Sequence, residues 1–251
     1  LSGLSGSIGI HFFAHIMHNT DWHVVGIASF RHKGWSDRIE YMLKEHPEWR
    51  ERLSLITHDL VAPLSELTKK KIGHVDYIIS MAAMSDVFLS IQDPVPFVVN
   101  NVNVALNLLE FAREVKPKAF VQISTDEVYG AIDTKDSAGA KEWDAVLPSN
   151  PYAASKAAQE AVAISYWRTY GVPLILTNTM NNYGEMQQAN KYPVLVQRAI
   201  LEGKAVQIHA EPDGSIGSRS YIHSRNFADA ILFILKNTTP HQHQPLTTDR
   251  P

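Results

Sequence analysis

Two stretches of this sequence are apolar at almost every position, Val75-Asp76-Tyr77-Ile78-Ile79 and Ala119-Phe120-Val121-Gln122-Ile123. A strand with one face in water alternates apolar and polar residues, so these runs suit strands covered on both faces. Strands of that kind belong to parallel sheets, where each return to the sheet needs a crossover, usually a helix. The rest of the chain supplies one each time. Short β-rich runs at 23–28, 53–57, 75–81, 119–124, 174–179 and 205–208 alternate with helical patterns near 8–18, 62–70, 95–115, 152–170, 193–201 and 225–236. The alternation predicts an α/β fold built on a doubly wound parallel sheet. Pro117 stops the long helix, and Gly171 with Pro173 ends the next. Residues 133–150 read as a long loop, the kind that is often functional in a compact domain.

Composition narrows the function classes. The chain has 251 residues, 23 Lys+Arg against 26 Asp+Glu, a net charge of −3, 45% hydrophobic residues and no cysteine. There is material for a core, and no basic field of the kind that nucleic-acid or membrane binding uses. Absence of cysteine excludes disulfides and thiol catalysis and suits a cytoplasmic protein. No uninterrupted run of about 18 apolar residues is present, so no membrane span is expected. The chain opens on Leu1-Ser2-Gly3, with no Met and no apolar strand before its glycines, and ends in a polar tail. It reads as a fragment.

Gly3, Gly6 and Gly9 recur every third residue just before an amphipathic helix. Backbone amides at a helix start, with glycines that admit a pyrophosphate, form a dinucleotide site. Gly3, Gly6, Ser7, Ile8 and Gly9 are therefore candidate cofactor residues. An acid at the end of the second strand would bond the adenosine ribose, but 28–33 offers Ala28, Ser29, Phe30, Arg31, His32 and Lys33. Ser29 and Arg31 could hold a 2′-phosphate, which leans the reading from NAD toward NADP; the competing explanation is a solvated basic turn. Asp59, followed by Leu60 after the third strand, is placed to reach the adenine, or else acts as a cap.

Tyr152 and Lys156 are four apart and so share one helix face. A nearby ammonium would lower the phenol pKa, and the phenol could then move a hydroxyl proton. Ser124-Thr125-Asp126-Glu127-Val128-Tyr129-Gly130 follows a buried strand, at the carboxyl end where open parallel sheets bind ligands. Two adjacent carboxylates there call for partners, because burying them unpaired is costly.

Taken together, Gly-x-x-Gly-x-x-Gly, then Ser-Thr-Asp-Glu-Val-Tyr-Gly, then Tyr-x-x-x-Lys resembles the extended short-chain dehydrogenase/reductases, the epimerase/dehydratase family. The Thr-Asp-Glu form resembles the dTDP-glucose 4,6-dehydratases, over residues 3 to about 236. The resemblance implies a Rossmann domain over 1–180 holding the catalytic residues. It also implies a partial substrate lobe over 181–251, with the helix at 225–236 offered as packing back on the Rossmann domain. It implies a nucleotide-sugar substrate and internal hydride transfer through a bound nicotinamide. Tyr152 is then the base at C4, held with the nicotinamide ribose by Lys156, and Thr125 bonds the C4 oxygen. Glu127 takes the C5 proton and Asp126 protonates the leaving C6 hydroxyl. Ala82 and Ala83 resemble a cofactor-contacting segment, and Asn101 a helix asparagine that supports the active site. Ser85, Asn181 and Arg219 fall on the substrate side, the arginine at the diphosphate. Leu201-Glu202-Gly203-Lys204 also resembles a substrate-lobe segment.

The chain departs from the pattern at Met84-Ser85-Asp86, where those dehydratases carry Glu-Ser-His, and at Ser220 and Asn226, where aspartates are common. A 4-epimerase, a decarboxylase, a GDP-mannose 4,6-dehydratase or a non-catalytic cofactor-binding protein are the alternatives. The adjacent Asp126 and Glu127 favour dehydration. The family commonly pairs through two long helices, here 95–115 and 152–170, which implies a homodimer. His11, His15 and His18 at helical spacing could form a metal face, but no other ligands point there, and surface or partly buried histidines are the preferred reading. His241 and His243 are read as tail residues.

Overall fold

The computed structural model describes residues 1–31, 34–130, 139–208, 210 and 213–241. His32, Lys33, residues 133–138 of the long loop, and His243 with the rest of the tail lie outside the described residues.

The elements run α1 (Ser7–Asn19), β1 (Val24–Ala28), α2 (Ser36–Glu45), β2 (Leu53–Thr57), α3 (Glu66–Ile72), β3 (Tyr77–Ser80), α4 (Val87–Gln92), α5 (Pro94–Val115), β4 (Ala119–Thr125), α6 (Pro151–Tyr170), β5 (Leu174–Thr179), β6 (Asn181–Tyr183), α7 (Tyr192–Leu201), β7 (Tyr221–His223) and α8 (Ser224–Asn237). Strands β1 and β2 pair in parallel, as do β3, β4 and β5. Residues 1–3 join the two groups. Leu1 and Gly3 exchange backbone hydrogen bonds with Val25 and Ile27 of β1, while Ser2 N donates to Ile79 O of β3 at 3.0 Å. The order across the sheet is therefore β2, β1, residues 1–3, β3, β4, β5. Strand order reverses between residues 1–3 and β3, and such switch points open a crevice at the carboxyl ends of strands. β6 and β7 form a separate parallel pair beyond that end.

The two apolar runs do what their composition demands. Side chains alternate faces along a strand. Ile78 and Phe120 pack with Leu108, Leu109 and Phe111 of α5 and Ala163 of α6, whereas Ile79 and Val121 pack with Ile10, Phe13 and Ile16 of α1 and Phe227 and Ile231 of α8. Helices thus cover both faces, and each fully buried residue of this kind contributes about 1.5–3 kcal/mol. α6 is bounded by local chemistry: Asn150 Oδ1 accepts from Ala153 N at 2.9 Å, Pro151 opens the first turn, and Gly171 ends it at φ +70°.

All six expected helices form. The widest disagreement is at 62–70, where α3 starts only at Glu66 because Ser65 Oγ caps it, accepting from Thr68 N at 3.1 Å. The expected strand at 205–208 does not form. Its alternation is present, but no neighbouring strand among the described residues receives its backbone bonds, and only an isolated bridge joins Ala210 to Ile216. α2, α4, β6 and β7 were not foreseen. By length and composition alone, α5 is long and apolar enough to cross a membrane. Asn100, Asn101, Asn103 and Asn107 interrupt it, and its Phe97, Val104, Leu108 and Phe111 are buried in the protein, as in a core helix.

Candidate active site

A cleft of about 490 Å³ runs across the carboxyl ends of the central strands. At one end lies the glycine turn. Gly6 N donates to Gly3 O at 2.9 Å, and Gly3 holds φ +73°, a region in which glycine pays no steric penalty. A Cβ on Gly9 would stand 2.1 Å from Gly3 O, so the third glycine is set by backbone contact. α1 begins with no side-chain cap on its first amides. Gly3, Gly6, Ser7, Ile8 and Gly9 all line the cleft, a cradle suited to a pyrophosphate. Ser2, beneath it, accepts at Oγ from Met81 N and Ala82 N at 2.9 and 3.1 Å and so pins the 81–85 segment; Ala82, Ala83 and Ser85 line the adjoining wall.

Ser29, Arg31, Asp59 and Leu60, the residues expected near an adenosine, line the cleft beside this turn. Arg31 Nη2 meets Asp59 Oδ2 at 2.7 Å, and Ser29 Oγ accepts from Arg31 N at 3.3 Å. The guanidinium assigned to a 2′-phosphate already faces a carboxylate. A phosphate beside Arg31 would meet Asp59 as well.

The opposite end carries Thr125, Glu127, Tyr152 and Lys156. β4 ends at Thr125, whose Oγ1 accepts from Glu127 N and donates to Asp126 Oδ1, both at 3.3 Å. Tyr152 stands one turn before Lys156 on α6 and shares a hydrogen bond with Thr125. Asn150 Nδ2 reaches Glu127 Oε2 at 3.4 Å. Burial raises the Asp126 carboxyl above its ordinary range, against the opposing pull of its Thr125 hydrogen bond and the charge of Arg219.

The phenol is not lowered as expected. Burial, then the Glu127 carboxylate, pushes Tyr152 above its ordinary value. Lys156 Nζ donates to Ile123 O at 2.5 Å and Gln159 Oε1 at 2.6 Å, and its charge is not among the influences on the Tyr152 phenol. Burial brings Lys156 from 10.5 down to about 8. Because the unfolded chain binds this proton more tightly, stability should rise with pH between about 8 and 10.5, with the full penalty present below 8. Denaturant melts should show wild type gaining on Lys156→Met across that window. A flat difference contradicts the buried placement.

Three expected residues lie outside the cleft wall. Asn101 is fully buried, accepting from Met84 N at 2.7 Å and donating to Met84 O and Ser155 Oγ at 3.0 and 2.7 Å. It braces the 81–85 wall and α6. Asp126 is half-buried behind Thr125, and Arg219 is exposed, near enough to Asp126 to act on its charge. Leu201, Glu202, Gly203 and Lys204 end α7 away from the cleft. Asn181 does line it with its neighbour Asn182, joined by Gln187, Lys191 and Tyr192, which the motifs missed although Pro193 marks the start of α7. Glu160 was also missed. It is buried one turn after Lys156, accepts from Asn178 Nδ2 at 2.7 Å, and is raised by burial. The three α1 histidines separate: His11 bonds Glu185 O, His15 faces Asp229, and His18 packs on His46 and Trp49.

The family model described as GDP-mannose 4,6 dehydratase matches residues 1–249. Low-salt glycan biosynthesis protein Agl12 of Haloferax volcanii is 33% identical over 238 residues, covering 94% of this chain and 72% of that protein. The dTDP-glucose 4,6-dehydratase of Shigella flexneri is 32% identical over 251 residues, covering 94% and 67%. Among solved structures, DesIV, a dTDP-glucose 4,6-dehydratase from Streptomyces venezuelae solved with NAD bound, superposes with a TM-score of 0.84 at 28% identity, covering 95% of this chain and 72% of that one.

Proposed function

The chain belongs to the GDP-mannose 4,6 dehydratase family of nicotinamide-dependent Rossmann enzymes, and from that premise we propose that it converts a nucleoside-diphosphate hexose to the 4-keto-6-deoxy sugar by loss of one water. The observation that carries this reading is the Thr125-Asp126-Glu127 turn beside Tyr152 at one end of a cleft whose other end is a glycine cradle.

The cradle, the missing Cβ space at Gly9 and the length of the cleft fit a nicotinamide dinucleotide. When bound, it supplies a two-electron acceptor that works reversibly, so the reaction has no net redox change. Gly3, Gly6, Ser7, Ile8 and Gly9 would hold its diphosphate, and Asp59 and Leu60 its adenosine. Tyr152 takes the C4 hydroxyl proton, with Thr125 Oγ1 orienting that oxygen; C4 stays a ketone in the product, so this proton leaves to solvent and balances the one that Asp126 gives up. Lys156 anchors the helix turn that carries Tyr152. Once C4 is a ketone, the C5 proton is acidic; Glu127 removes it and, after water has left and C6 has been reduced, returns a proton to C5. Asp126, whose carboxyl burial favours in its protonated form, gives a proton to the departing C6 oxygen. Asn181 and Ser85 contact the sugar nucleotide, and Arg219 its diphosphate.

The Arg31–Asp59 pair and the NAD of the DesIV structure support NAD rather than the NADP first favoured. NAD should bind wild type at least tenfold more tightly than NADP, with Arg31→Ala changing NAD affinity little; tighter NADP binding that Arg31→Ala abolishes would restore the phosphate reading. Residues 1–180 serve as the cofactor domain and 181–251 as part of the substrate lobe, with the α8 helix packing back on the cofactor domain. Exposed Val95, Val98 and Val99 on α5 and Ile164 on α6 support a homodimer through those helices. The cysteine-free composition supports a soluble cytoplasmic enzyme. The direct test is incubation with dTDP-, UDP-, CDP- and GDP-hexoses plus NAD. At least one should yield a product lighter by one water; none doing so sinks the assignment.

A further inference from the structure

Arg38 lies outside every motif, yet it is only 3% exposed. Its Nη1 donates to Ser5 O, inside the glycine turn, at 2.7 Å. Its Nε and Nη2 donate to Met186 O at 3.1 and 2.9 Å. Trp35 lies 4.5 Å from the guanidinium, and its backbone N also donates to Ser5 O at 3.2 Å. One planar side chain thus spans the cofactor turn and the 184–187 loop that leaves β6.

That loop is shaped to need holding. Met186 has φ +60°, left-handed backbone in a residue other than glycine, which carries a conformational cost. Its neighbour Gln187 donates at Nε2 to Asn182 O at 2.9 Å, and both Asn182 and Gln187 line the substrate side of the cleft. His11 of α1 adds a parallel tie, its Nε2 2.9 Å from Glu185 O. Ser5 itself lines the cleft between Gly3 and Gly6.

We propose that Arg38 is a positioning residue that couples the two halves of the cleft: a dinucleotide ordering the glycine turn fixes Ser5 O, and through Arg38 fixes the 184–187 loop for the nucleotide sugar. The coupling rests on the dehydratase reading above, since it presumes both ligands. Lysine cannot replace the guanidinium here, because a single ammonium cannot present a rigid fork to two carbonyls on separate segments.

The test measures dissociation constants of dTDP, UDP and GDP with and without saturating NAD, in wild type and Arg38→Lys. In wild type NAD should tighten at least one nucleoside diphosphate about fivefold or more, within the usual range of coupling between sites. Arg38→Lys should bring that ratio close to one while still binding each ligand alone. A ratio unchanged in Arg38→Lys overturns the proposal and leaves the dehydratase reading standing. Failure of wild type to bind NAD overturns both. Should Arg38→Lys not fold, hydrogen exchange in wild type decides: NAD should slow exchange at Gly184, Glu185 and Met186, none of which lines the cleft, and unchanged exchange there overturns the coupling.

Discussion

Tyr152→Phe should lower kcat by about a hundred- to ten-thousandfold, the range for removing a general acid–base group. The ring fills the same buried space, so thermal stability and NAD affinity should stay close to wild type. Its phenol sits above the ordinary value because burial and the Glu127 carboxylate disfavour the phenolate. Proton transfer at C4 is therefore expected to improve toward alkaline pH, and that pH dependence should vanish in Tyr152→Phe. Turnover unchanged by the substitution would remove Tyr152 from the chemistry.

The carboxylate pair should separate under substitution. Glu127→Gln and Asp126→Asn should each lower dehydration by about the same hundred- to ten-thousandfold. They differ in deuterium oxide. Asp126→Asn keeps the C5 base, so substrate recovered from it should carry deuterium at C5. Glu127→Gln should leave C5 unlabelled. The distinction follows from position: Glu127 lines the cleft, held by Asn150, whereas Asp126 is half-buried behind Thr125 with its carboxyl raised. Reversed labelling would exchange the two roles.

Much of this geometry was readable from residue order. The Val75–Ile79 and Ala119–Ile123 runs announced two-sided burial because their alternate residues serve two cores, α1 with α8 on one face and α5 with α6 on the other. The glycine spacing and the Tyr152–Lys156 spacing were legible because backbone approach and the helical turn impose them. What stayed hidden was decided across the fold. Asn101 resembled a supporting asparagine, but what it supports, Met84 and Ser155, stands seventeen and fifty-four positions away. Arg31 looked like a phosphate ligand until Asp59 appeared opposite it. Lys156 looked poised to lower a phenol, yet its ammonium donates to Ile123 O and Gln159 Oε1 instead. Residues 205–208 have strand-like alternation, and pairing depends on a neighbour that local sequence does not supply. Arg38 carries no motif at all; only folding brings Ser5 and Met186 to its two sides.

Dehydration at a site centred on Tyr152 and two carboxylates leaves a signature in the sugar itself. Its most direct measurement is the mass of the sugar nucleotide after reaction with wild type in deuterium oxide. The expected product is a 4-keto-6-deoxy sugar nucleotide that has lost one water and gained one deuterium at C5. A C4 epimer of unchanged composition, with no deuterium at C5, would contradict it.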